Sequence, residues 1–387
     1  MTTPFPFVAN TVLTAAQLNA ITTLPVNAKT ANYTLVVGDV GSRVQMSNAS
    51  ATTITVNTGI FSAGDTIWIQ NIGAGTCTVT SGTCTVSTAS SLALAQYGGG
   101  TLVFQSASAA TFFSGGKSLP TAVNYLVLAG GGGGGNSSAG FFAGGGGGAG
   151  GLLSSSTTET GFVPTSGVTY TVTVGSGGIS NTSGSDSSIS GSGLTTITST
   201  GGGRGDGTNA AANGGSGGGS RTSGSVRTAG TGITNQGFAG GVNTTSAPFR
   251  SGGGGGWKAV GTDGASQATS GNGGAGISQS ISGSAVVYAG GGGGGGSTGG
   301  GGAGTGGVGG GGAGSVTGVG TAGTNYLGGG GGGGYETTSS AGGKGGDGVV
   351  ILSTSTNDLV ATTTGATVTT LGGYKIYTFQ ASGTIVW

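Results

Sequence analysis

Tyr125-Leu126-Val127-Leu128-Ala129-Gly130-Gly131-Gly132-Gly133-Gly134-Gly135 joins a short apolar strand to an unbroken glycine run. Glycine loses more backbone freedom on ordering than any other residue, so nothing local makes such a run helix or strand. Something non-local must hold it. The pattern recurs at Gly144 to Gly148, Gly252 to Gly256, Gly290 to Gly296 and Gly328 to Gly334, within 100 glycines in 387 residues. A second apolar strand, Val349-Val350-Ile351-Leu352, leaves the last glycine-rich stretch. Each of the two strands is too apolar to stay exposed and too short to form a core alone, which predicts that they pair and close a glycine-rich domain.

Collagen needs strict Gly-X-Y and abundant proline, and the chain has six prolines and no such period. Polyproline-II geometry remains open to glycine: three residues per turn, about 3.1 Å rise, and every N–H and C=O pointing outward. Each helix must then bond to its neighbours, because buried backbone polar groups have to be satisfied somewhere. Only a residue without Cβ lets backbones approach on all sides. At that rise a seven-residue run spans roughly 22 Å.

The rest of the chain is ordinary by comparison. Thr14 to Ile21 reads as a two-turn helix with Thr14 as N-cap, inside an attachment or trimerisation leader over residues 1–30. Strand-like segments at eight-to-twelve-residue spacing predict a small antiparallel β domain over 31–116. Cys77 and Cys84 fall in an expected hairpin turning at Ser81-Gly82, a register that disfavours a disulfide. The glycine-rich domain takes 121–352. Residues 353–387 end in an expected hairpin, Tyr374 to Phe379 against Thr384 to Trp387 around Gln380 to Gly383.

Composition narrows the function. Ten Lys plus Arg against nine Asp plus Glu, with the arginines scattered in sequence, argue against nucleic acid as a partner. Histidine is absent, which removes Ser-His-Asp and Cys-His arrangements and most zinc sites. The chain is expected to be neither an enzyme nor a cofactor protein. No signal-like segment and no long apolar run are found, so neither export nor membrane insertion is expected.

Three motif matches have plainer explanations. Arg204-Gly205-Asp206 and repeated Gly-x-Gly-x-x-Gly are expected by chance at this composition. Gly342 to Val350 fits a calcium-binding nonapeptide but occurs once, leaving half the ligands missing, so Asp347 is expected to bond nearby backbone amides.

Over about residues 121 to 387 the sequence resembles the glycine-rich domains of bacteriophage tail-fibre tip adhesins, whose core is a polyglycine-II sandwich. The residues that carry the resemblance are Tyr125 to Gly130, Gly144 to Gly151 with Tyr170 to Gly175 following, and Gly345 to Ile351. Phe7 to Asn19 also looks like the start of many phage fibre proteins. The resemblance implies a mainly β virion protein, synthesised in the host cytoplasm and commonly trimeric. It implies attachment to other virion proteins through residues 1–30 and binding of a bacterial surface glycan or outer-membrane protein through the loops between glycine helices. Phe141, Phe142, Phe249, Trp257, Lys258, Tyr335 and Glu336 lie in or beside those loops and are the candidate receptor contacts. A non-adhesive capsid fibre or decoration protein is the alternative.

Overall fold

The structure is a computed structural model. It describes residues 24–88, 91–115, 119–137, 142–156, 160–245, 249–264, 269–297, 302–336, 340–356 and 358–387. The expected helix at Thr14 to Ile21 and the aromatic Phe141 lie outside those residues. The chain is mainly β and divides into two compact units, Met1–Ser118 and Leu119–Trp387. No described helix is long and apolar enough to cross a membrane.

The first unit has a six-stranded and a four-stranded sheet. The expected antiparallel arrangement holds only where Gly99–Ser106 lies between Thr66–Asn71 and Ala109–Ser114, and where Ala93–Leu94 pairs with Cys77–Ser81. Elsewhere the strands stack in parallel. Val26–Lys29, Arg43–Met46 and Thr66–Asn71 stack in one sheet, and Tyr33–Thr34, Thr52–Val56 and Cys77–Ser81 in the other. This is a solenoid-like winding, in which each coil contributes one strand to each sheet. The alternating pattern in Thr52–Val56, buried at Thr52, Ile54 and Val56, marks a half-buried strand and carries no sign of its neighbour's direction.

The Cys hairpin is therefore corrected. Cys77–Ser81 pairs with Thr52–Val56, while Thr85–Ser87 crosses to the other sheet and pairs with Ala109 to Thr111. Both cysteines are free and buried in the core with Ile54, Val56, Ile67 and Phe104, and burial raises both thiol pKa values above the ordinary range.

In the second unit the two apolar strands do pair, antiparallel, with Tyr125 opposite Leu352 and Leu128 opposite Val349. They sit within one sheet whose order is Leu152–Ser154, Asn124–Leu128, Val349–Ser355, Tyr374–Val386, Thr169–Thr173, Ser187–Gly191 and Leu194–Ser199, with Thr362–Leu371 also paired to Tyr374–Val386. The expected C-terminal hairpin is moved. Tyr374–Val386 is one continuous strand, and the turn lies at Gly372 and Gly373, whose φ of 59° and 81° suit residues without Cβ.

Both faces of this sheet are covered, which explains why Leu126 to Leu128 read as an unbroken apolar run. One face packs Tyr125, Val127, Tyr170, Val350, Tyr377 and Phe379 around Trp387. The opposite face presents Leu126, Leu128, Val349 and Ile351 to Ala149, Leu152, Tyr288 and Ala289, where the glycine runs begin and end.

The runs form a hydrogen-bonded lattice with a period of three. Gly130 and Gly133 donate to Ser185 and Thr182, Gly131 and Gly134 to Gly346 and Gly343, and Gly132 and Gly135 to Gly148 and Gly145. The acceptors repeat with the same period. Carbonyls of Gly130 and Gly133 receive the amides of Gly202 and Gly205, those of Gly131 and Gly134 receive Gly178 and Asn181, and those of Gly132 and Gly135 receive Gly331 and Gly334. Partners that recur every third residue require three residues per turn, the polyglycine-II geometry. None of the glycines in this run or in 144–151 has positive φ.

The run 144–151 shows the packing most fully. Its amides reach segments 328–334, 200–206 and 252–255, and its carbonyls receive amides from 292–295, 129–135 and 216–219. Six neighbours therefore surround it. A Cβ on Gly146 would fall on the carbonyl of Gly292, and one on Gly331 on the carbonyl of Gly343. Glycine is required here by the approach of backbones from every side.

Candidate binding surface

The lattice has two distinct ends. Run 130–135 leaves the sheet at Leu128, and the antiparallel run 144–151 returns to it at Leu152, so the segment between them lies at the end far from the sheet. Runs 290–296 and 328–334 pair antiparallel to 144–151 and also end far from the sheet, whereas 252–256 runs parallel to it and ends near the sheet.

This polarity divides the predicted contact residues. Phe142, Phe249, Tyr335 and Glu336 lie at the far end, and Trp257 and Lys258 at the sheet end. The Trp257 indole Nε1 donates to the Leu152 carbonyl at 2.9 Å, and the ring packs with the Leu126 and Tyr288 cluster. Trp257 thus ties a loop to the sheet, and Lys258 beside it is exposed. At the far end the Tyr335 amide donates to Gly318 at 2.9 Å and the Glu336 amide to Gly296 at 3.2 Å, with both residues half-buried.

The far end also gathers charged residues that sequence spacing kept apart. Asp206 is fully buried, and Arg227 grips its carboxylate with two donors, Nε to Oδ2 and Nη2 to Oδ1 at 3.2 Å. Arg221 brings its Nε to 3.8 Å from the same carboxylate, and its guanidinium lies 5.0 Å from the centre of the Phe142 ring. Burial, then the positive charge of Arg227, lowers the Arg221 pKa, and Asp206 opposes this. Two guanidiniums thus share one carboxylate, and both remain partly exposed, at 20% and 30%. Because Asp206 is sealed, Arg204-Gly205-Asp206 is not displayed as a tripeptide.

Arg250 is also at this end and is 1% exposed. Its Nη1 donates to the Phe249 carbonyl at 3.1 Å and to Ser297 Oγ at 2.8 Å, and Ser297 Oγ donates to the Phe249 carbonyl at 3.0 Å. The backbone beside Phe249 is held rigidly by this cross-link. Nothing in the local sequence marks these arginines as a group with Asp206, since Arg221 and Arg227 sit in one inter-run segment, Arg250 in another and Asp206 in a third. The one usable signal is that such segments carry most of the charge of a glycine-rich half.

The model of the family described as "Glycine-rich domain" matches residues 109–355, well over half of the chain. The chain belongs to the glycine-rich domain family. The match takes in the lattice and its two closing strands, and it begins inside the first unit, at Ala109–Ser114. No curated protein and no solved structure matches the chain. In this glycine-rich domain the described residues hold no group of three or more His, Cys, Asp or Glu placed to bind a metal ion.

Proposed function

We propose that this chain is a bacteriophage fibre protein of the virion, a receptor-binding adhesin that recognises the bacterial surface through the far end of its glycine lattice. The observation that carries the reading is the segregation of side chains. The lattice interior is nearly all backbone, while the far end collects Phe142, Phe249, Tyr335, Glu336 and the Arg221–Asp206–Arg227 cluster on segments whose sequence the lattice does not constrain. Arginine and aromatic side chains supply the bidentate hydrogen bonds and stacking that recognise a surface glycan or an outer-membrane protein. Residues 1–30 would attach the chain to other virion proteins, as a trimer. Binding proceeds without cleavage or cofactor.

The test is competition. Full-length protein should adsorb to host cells and block infection, with Phe142→Ala and Arg227→Ala weakening adsorption by about tenfold each, the loss of an aromatic or charged anchor. Folding is checked by circular dichroism, and bacterial polysaccharide incubated with the protein should keep its length. If the folded protein neither adsorbs nor competes, the adhesin reading fails and a projecting, non-adhesive appendage replaces it.

A further inference from the structure

A cavity of about 530 Å³ lies at the sheet end of the second unit, away from the far-end loops. The hairpin Ile277–Gln279 with Val286–Tyr288 forms one wall, and the turn of Thr362–Leu371 with Tyr374–Val386 forms the other. Gly283, at φ 90°, brings the tip of the first hairpin onto the Leu371 side chain. The volume falls in the range of about 300–1,000 Å³ typical of small-molecule sites.

The lining is polar on one side and apolar on the other. Ser156, Ser278 and Asn124 contribute hydroxyl and amide groups, and Leu371 and Tyr374 contribute half-exposed apolar surface. No charged side chain lines it among the described residues. At its base Gln279 is only 4% exposed. Its Oε1 accepts from Ser156 Oγ at 2.6 Å and from Ser154 Oγ at 3.4 Å, while its Nε2 is buried with no hydrogen-bond partner among the described residues. A buried donor left unpaired is costly, and native folds seldom tolerate one without a use.

These observations select a ligand class. A charged ligand would meet no counter-charge here, and a wholly apolar one would leave the Gln279 amide and the serine hydroxyls unsatisfied. A pyranose ring has an apolar face for Tyr374 and Leu371 and equatorial hydroxyls for the opposite wall. We propose that this cavity binds a neutral sugar ring, with Gln279 Nε2 donating to a ring hydroxyl and Tyr374 packing against the ring face. The site is independent of whatever the far-end loops recognise.

Saturation-transfer NMR on the full chain, with methyl glycosides of glucose, galactose, mannose and N-acetylglucosamine as probes, tests it. At least one glycoside should bind, and Tyr374→Ala and Gln279→Leu should each weaken it by about tenfold, the effect of losing one packing surface or one hydrogen bond to a buried partner. Tyr374 is half-exposed, so its variant remains informative if Gln279→Leu unfolds. Arg221→Ala should leave binding unchanged. The assignment is overturned if no glycoside binds, if Tyr374→Ala binds as the parent does, or if Arg221→Ala abolishes the signal.

Discussion

At the scale of single residues, glycine is required in some places and idle in others. Gly146 lies inside the lattice, where a Cβ would strike the Gly292 carbonyl, whereas Gly318 and Gly224 have no atom within 4 Å of an added Cβ. Neither of the latter two has positive φ. Gly146→Ala should therefore lower stability by about 3 kcal/mol or more, since a rigid backbone cannot yield as a side chain does. Gly318→Ala should be neutral or stabilise by about 0.4–1 kcal/mol through the unfolded chain. Denaturant midpoints of the two variants against the parent check the contrast. The sequence does not separate these glycines, because both sit in glycine-rich surroundings and only the approach of other segments distinguishes them.

The elements show where reading by pattern succeeds. Leu126 to Leu128 and Val349 to Leu352 were legible as paired strands because a short, fully apolar strand must be covered on both faces and each flanks the same glycine-rich stretch. Pairing direction in the first unit was not legible, since the alternation of Thr52–Val56 is the same beside a parallel or an antiparallel neighbour. The C-terminal hairpin was misplaced for a related reason: Gln380 to Gly383 resembles a turn, yet Gly383 continues the strand and pairs with Val172. Asp347 fulfils its expected role, accepting from the Gly177 amide and from Lys344 Nζ, both at 2.8 Å. Burial pushes its pKa up, but the Lys344 hydrogen bond, the Gly177 amide and the Lys344 charge outweigh that, and the net shift is downward. A depressed carboxyl pKa stabilises the fold above the unfolded carboxyl range, and this contribution disappears as pH falls through the folded value. Asp347→Asn should thus lower the melting temperature at pH 7 and make little difference at pH 2.

For the whole molecule, the absence of histidine governs the response to pH. No side chain has an ordinary pKa between 5 and 8, and the buried thiols of Cys77 and Cys84 are pushed upward, away from that interval. The melting temperature should be flat from pH 5 to pH 8, and a change of more than a few degrees by scanning calorimetry would contradict this. Below pH 5 stability should fall as Asp347, whose carboxyl is held below its ordinary pKa, becomes protonated.

The sequence by itself determined that the glycine runs must be held by one another and that two apolar strands close the domain, and it left three residues per turn open to the runs, which the period-three hydrogen bonds then established. Those conclusions follow from what glycine lacks: without Cβ it has no local preference and its backbone polar groups need partners. Only the tertiary structure decided which runs are neighbours and which side chains meet at the far end. Glycine against glycine satisfies the same hydrogen bonds in many arrangements, so the runs carry almost no information about their own neighbours. The choice passes to the residues that do have side chains, the strands that anchor one end and the segments that join the other. Asp206 and Arg227, separated by 21 residues, become an ion pair only once that choice is made.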